Sequence, residues 1–294
     1  MHVRPRRSVL YMPGSNTRAL EKAKSIPADA LILDLEDAVA PDQKVEAREN
    51  VCLAVKSGGY GSRELVIRVN ALDTEWGVDD VMAACEVSPD AILVPKVSRP
   101  GDITSVAKIL SGSRVPDKTR LWAMMETPHA ILNAREIAAL GAEPENRLSC
   151  FVLGTNDLLK ESRARANNER FAVVPWLAIT LVAARAYGID VLDGVYNDFR
   201  NDEGLRAECE HGRTLGMDGK TLIHPNQVNS CNEVFSPSVA EVEWSRKVIE
   251  AFEMPENANK GVITVDGKMV ELLHAVMAKR VVAIAEAIAK SEVA

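Results

Sequence analysis

Two carboxylates stand where apolar runs break off. LWAMMETPHA (residues 121–130) ends its apolar run at Glu126, just before Thr127 and Pro128, and CFVLGTNDLL (150–159) runs through Gly154 and Thr155 to Asp157. Two carboxylates converging in a partly dry cleft repel, and each raises the other's pKa unless a cation lies between them. The pair therefore points to a metal. With only oxygen donors and no His/Cys cluster, the ion is a hard one, Mg2+ with Mn2+ as a substitute; Mg2+ takes one or two protein carboxylates and fills its octahedron with water and substrate oxygens. Arg68, at the end of the apolar run ELVIR, supplies a planar fork suited to a substrate carboxylate. Metal and guanidinium together suit an α-keto or α-hydroxy acid chelated through its carboxylate and the adjacent oxygen.

Other polar residues end similar runs: Asp34, Glu36 and Asp37, then Asn70, Lys96, Asp193, Asn197, His224 and Asn226. Each also has a structural reading. A strand-end acid can cap a helix or face solvent, Arg68 can sit in a structural ion pair, His224 before Pro225 can close a turn, and the acids of LEDAV can form a supporting network. Composition and spacing alone stop at an acidic, metal-dependent barrel enzyme.

The elements that must position these residues are eight strand-like runs, starting near residues 8, 30, 64, 91, 121, 150, 190 and 220, with amphipathic stretches between them. Continuous apolar strands alternating with helices imply a parallel sheet, and eight units imply closure into a (β/α)8 TIM barrel. The active site of such a barrel lies at the C-terminal ends of its strands. An open doubly wound sheet is the alternative, but no GxGxxG follows any run. Residues 1–236 are assigned to the barrel. Residues 237–294 form a C-terminal helical extension, two helical stretches joined by the glycine-containing NANKGVITVDGKMV, expected to pack on a neighbouring subunit. The apolar window from Val173 to Ile189 reads as a buried helix, too short to span a bilayer.

With 47% hydrophobic and 26% charged residues among 294, the chain reads as globular and soluble. A net charge of −7 opposes general attraction to nucleic acid, so an anionic substrate needs local cations. Five scattered cysteines without a CxxC pair argue against a disulfide frame or structural zinc and for a reducing cytoplasm. The basic N-terminus lacks the apolar length of a secretion signal.

RRSVLYMPGSN, ADALILDLEDAVAPDQKVEAR, VIRVN, ILVPKV, WAMMET, GTNDL and GMDGKTLIHPNQ, in this order, resemble the CitE-like acyl-CoA lyases of the HpcH/HpaI aldolase superfamily, over nearly the whole chain. The resemblance implies a modified TIM barrel, a homotrimer or hexamer, that binds Mg2+ and acts on short coenzyme A thioesters. It places the metal ligands on Glu126 and Asp157, the carboxylate-binding arginine on Arg68, and an acidic pair near the metal waters on Glu36 and Asp37. It also draws Gly154 and Thr155 into the substrate site, and Arg7, Arg18 and Lys22 toward the CoA phosphates. An acid from the C-terminal segment of a neighbouring subunit completes the family's site, an Asp in many lyases; here VDGKMVE puts Glu271 there.

That departure, with MMET and DGVYNDF, is most similar to malyl-CoA and β-methylmalyl-CoA lyases and the related (3S)-malyl-CoA thioesterases. The implied reaction is cleavage of a malyl-CoA-type thioester to a 2-oxo acid such as glyoxylate plus acetyl- or propionyl-CoA, with Glu271 as acid. The alternative is thioester hydrolysis to malate and CoA at the same site, and a further one is a citrate lyase β-like subunit working in a complex.

Overall fold

The computed structural model describes residues 3–113, 115–165, 167 and 169–293. Strands β1 (Ser8–Pro13), β2 (Ala30–Asp34), β3 (Glu64–Arg68), β4 (Ala91–Val94), β5 (Arg120–Met125), β6 (Leu148–Leu153), β7 (Asp190–Asp193) and β8 (Gly219–Leu222) pair in parallel and in sequence order, and β1 closes the barrel against β8. Each begins within two residues of the position expected from the sequence.

Between the strands run α1 (Thr17–Ala23), α2 (Lys44–Ser57), α3 (Gly77–Val87), α4 (Pro100–Gly112), α5 (Pro128–Leu132), α6 (Ala134–Ala139), α7 (Thr155–Ser162), α8 (Val174–Ala186) and α9 (Asp202–Leu215), and α10 (Val228–Phe235) follows β8.

The strands are buried on both faces, which explains their unbroken apolar runs. One face packs on the helices, through residues such as Leu31, Leu33, Ile67 and Ala123. The other fills the barrel with Val9, Ala30, Ile32, Val66, Leu93, Trp122, Met124 and Val152. The period of two therefore sends Asp34, Arg68 and Glu126, at the strand ends, to the inside of the rim. Between β5 and β6 the register shifts: Leu121 pairs with Leu148 but Trp122 pairs with Cys150, leaving Ser149 extra, so that Met125 pairs with Leu153. The opposite end of the barrel is closed by Arg6, which donates to Glu64 at 2.7 and 2.8 Å and to Asp190 at 2.7 Å and lies over the Trp122 ring.

The chain divides into two compact units, one of residues Arg6–Phe235 and one that joins Ser236–Ala294 to the N-terminal residues through Pro5. The second contains α11 (Val239–Glu253), β9 (Val262–Val265), β10 (Lys268–Glu271) and α12 (Leu272–Val293). The segment read as a link is in fact a β-hairpin. Asp266 and Gly267, at φ 47° and 77°, make the tight turn that antiparallel strands require. Val248, Ile263, Val265, Val270 and Ala275 form its own small core, while Met269, Leu272, Leu273, Val276 and Met277 are exposed.

Helix α8 corrects a second expectation. Leu177, Leu181 and Ala184 are buried, but Ile179 and Val182 are exposed, so the helix packs one face only. Among the described residues no helix is long and apolar enough to cross a membrane.

Candidate active site

Strands β5 and β6 are neighbours, so Glu126 and Asp157 arrive at the same stretch of rim. Glu126 follows β5 directly and is buried; Asp157 lies in the first turn of α7 and is partly exposed. Gly154, the residue before α7, is demanded by this packing: a Cβ there would stand 2.3 Å from Glu126 Cβ and 2.8 Å from its Oε2. No side chain larger than hydrogen fits between the strand end and the carboxylate.

A third element meets the pair. Lys96, two residues beyond β4, donates its backbone N–H to Glu126 Oε1 at 2.7 Å, and its Nζ lies 3.1 Å from Asp157 Oδ1 and 3.6 Å from Glu126 Oε1. Burial alone would lower the Lys96 pKa; Glu126 and Asp157 outweigh it and raise it. Glu126 Oε2 is buried without a hydrogen-bond partner, and burial pushes the Glu126 carboxyl up from the usual range.

Arg68 faces the same interior, its guanidinium over the Tyr11 ring. Its Nε and Nη2 each bind Asp34 at 2.6 Å, while Nη1 reaches Glu36 at 2.9 Å and Asp37 at 3.6 Å. Asp34 also accepts the backbone N–H of Glu36 and of Ala38, which folds the LEDA segment back over the rim. Burial pushes Glu36 up to about 7 against the pull of Arg68, with Glu126 and Asp37 adding to the rise. Lys44 was not legible as part of the site. Its buried ammonium donates to the carbonyls of Leu35 and Glu36 and to Asn70, and so fixes the backbone that presents Glu36. A Lys ten residues after a strand carries no sequence signal for that role.

The remaining expected residues divide. Thr155 is buried at the start of α7, and Arg18 and Lys22 are exposed one turn apart on α1, which leaves the same end of the barrel. Arg7 is not brought to the site: it precedes β1, at the opposite end, and its guanidinium grips Asp29 at 2.8 and 2.9 Å. Glu271 ends β10 in the second unit, where its backbone N–H donates to His274. His224 accepts the N–H of Asn226 and stacks on Phe199, closing a turn. A cavity of about 380 Å3 opens at the start of α7, lined by Thr155, Asn156, Arg170 and Tyr196 among others, but not by Glu126, Asp157 or Arg68.

The donor set suits Mg2+. Among the described residues Asp34, Glu36, Asp37, Glu126 and Asp157 outnumber the cations that act on them, Arg68, Lys96 and Lys44, a surplus of negative charge, and one buried carboxylate oxygen has no donor. Among the described residues no group of three or more His, Cys, Asp or Glu gathers as a metal cage. Two carboxylates are nonetheless the protein share that Mg2+ ordinarily takes.

The chain is similar to several known proteins. The chain is 53% identical over 285 residues to the (3S)-malyl-CoA thioesterase of Cereibacter sphaeroides, covering 97% of this chain and 96% of that one. It is 33% identical over 309 residues to the L-malyl-CoA/β-methylmalyl-CoA lyase of the same species, with 97% and 96% covered. A Mycobacterium tuberculosis citrate lyase β subunit, solved with oxaloacetate and magnesium, superposes with a TM-score of 0.67 at 26% identity, covering 81% of this chain and all of that one. Residues 7–225 match the HpcH/HpaI aldolase/citrate lyase model, and the chain belongs to that family.

Proposed function

We propose that the protein is a Mg2+-dependent hydrolase of malyl-CoA-type thioesters that releases malate and coenzyme A. The metal part rests on one observation: the buried, donorless Oε2 of Glu126 set beside Asp157 amid surplus negative charge. The choice of hydrolysis over carbon–carbon cleavage is supported by the much higher identity to the thioesterase than to the lyase. This reverses the order in which the sequence alone ranks the two reactions.

Glu126 and Asp157 would hold the ion. When bound, Mg2+ would supply Lewis-acid polarisation of the substrate's oxygens. Arg68 has two of its nitrogens committed to Asp34, so Nη1 is the donor left for a substrate carboxylate. Glu36, whose carboxyl burial pushes up to about 7, is partly protonated at neutral pH and in that form can release the nitrogen without leaving a bare carboxylate behind. In the reaction, water adds to the thioester carbonyl carbon and the carbon–sulfur bond breaks. The proton lost by water goes to the departing thiolate, and malate keeps the water oxygen.

Glu271 is the candidate base for that water, supplied by a neighbouring copy in a trimer or hexamer. The exposed Met269, Leu272, Val276 and Met277 beside it favour such a covered arrangement. Arg18 and Lys22 are the cations that would meet the CoA phosphates. Five cysteines, all free, suit a cytoplasmic setting.

The test supplies malyl-CoA and Mg2+ to the purified protein and measures free thiol, malate and glyoxylate separately. Thiol and malate without glyoxylate are expected. Glyoxylate with acetyl-CoA would show instead the cleavage reaction. Glu271→Gln is expected to slow turnover by about 10²- to 10⁴-fold with Mg2+ uptake intact, as loss of a proton-transfer group does.

A further inference from the structure

Lys96 is built into the site in a way no strand-end lysine requires. Its φ of 52° is in the left-handed region, which long side chains rarely enter and which persists only where the surroundings enforce it. Ala91 and Leu93 face the barrel interior from β4, and the chain enters the left-handed region at Lys96, two residues past the strand. The result is that one residue meets Glu126 twice, through its backbone N–H at 2.7 Å and its ammonium at 3.6 Å, and reaches Asp157 at 3.1 Å with the same ammonium. The backbone bond occupies Oε1 and leaves Oε2 as the oxygen without a donor.

From this geometry we infer that the Lys96 ammonium is the chain's own counter-cation for Glu126 and Asp157, competing with Mg2+ for the pair and setting how tightly the ion is held. The inference rests on the reading of these two residues as Mg2+ ligands. Both cations draw on the same carboxylates and repel each other, so each weakens the other's hold. Arrival of the ion pushes the ammonium outward along its flexible stem, while the Lys96 N–H keeps Glu126 oriented. Lys96 is thus a positioning residue with two separable parts: its backbone aims the ligand, and its side chain tunes the affinity.

Isothermal titration of the metal-stripped full chain with MgCl2 tests this. Lys96→Met, which retains the N–H and removes the charge, is expected to bind Mg2+ about tenfold or more tightly than the parent, while Lys96→Arg stays near the parent value. Equal or weaker binding by a folded Lys96→Met would overturn the inference and leave the metal reading standing. Absence of Mg2+ uptake by the parent would overturn both. A measurement on the unsubstituted protein guards against misfolding of the variant: reductive methylation followed by mass spectrometry should label Lys96 several-fold faster with Mg2+ than without, relative to the other lysines. A rate that is unchanged or slower would overturn the displacement of the ammonium.

Discussion

Two charge clusters, one at the inner rim of the barrel and one between β7, β8 and α9, are built to opposite rules. Around β7 and β8, Arg170 and Lys220 meet Asp193 and Glu208, cation for anion: Arg170 binds Asp193 at 2.6 and 2.8 Å, and Lys220 binds Asp193 at 3.0 Å and also Glu208. Burial alone would raise the Asp193 carboxyl, but Lys220 and Arg170 overcome it and hold it below the usual range. Around β2 to β6 the acids outnumber the cations, Glu36 and Glu126 are pushed up, and Glu126 Oε2 has no donor. Density of charge therefore does not mark function. A cluster whose charges close on themselves holds the fold, whereas one left unbalanced and partly unsatisfied is prepared for something from outside.

The contrast can be broken first at the closed cluster. Lys220→Met leaves Asp193 and Glu208 with Arg170 alone in a buried setting, and should destabilise the protein by about 3–5 kcal/mol, read by denaturant unfolding. Turnover per folded molecule should hold. Equal losses of activity and stability would place this cluster in the chemistry.

At the open cluster the pattern should invert. Glu126→Gln keeps the shape, abolishes Mg2+ uptake in titration, and lowers activity by about 10²- to 10³-fold. Thermal unfolding should show no loss of stability, because burial already disfavours the carboxylate.

Smaller is the pH effect of Glu36. Its folded pKa of about 7 lies above its ordinary value, so the folded protein holds a proton that the unfolded chain releases. Stability therefore declines as pH rises from the ordinary glutamate range to about 7, by roughly 1–3 kcal/mol, and levels off above it. Melting curves of Glu36→Gln with a chelator present should lack that decline.

Much of this was legible in the chain. Strands buried on both faces announce themselves as continuous apolar runs; on that rule Arg68 and Glu126 were read at the ends of β3 and β5 and Asp157 in the turn after β6, and the structure brings Glu126 and Asp157 together at Lys96. Arg7 was misplaced because a residue preceding a strand goes to the other end of the barrel. Lys96 was legible as a strand-end cation, but its left-handed backbone was not, since nothing about lysine favours that conformation. Of the closed cluster Asp193 was read as a strand-end acid, but its partners escaped notice because Lys220 lies within a strand and Arg170 in a loop. The hairpin of the second unit did carry its signal, VITV and KMVE around Asp266 and Gly267, and was passed over for the helices flanking it.

The extra residue in β6 has a consequence for what lengths of chain the site tolerates. Leu148 packs outward and Cys150 inward although they are two apart, so Ser149 absorbs one step of the alternation before the strand reaches the rim. A chain lacking Ser149 would alternate regularly and still deliver Gly154 beside Glu126. Its Mg2+ uptake, measured by titration, should match the parent's. The start of β6 thus acts as a slack joint, insulating the geometry at one end of the barrel from insertions and deletions at the other.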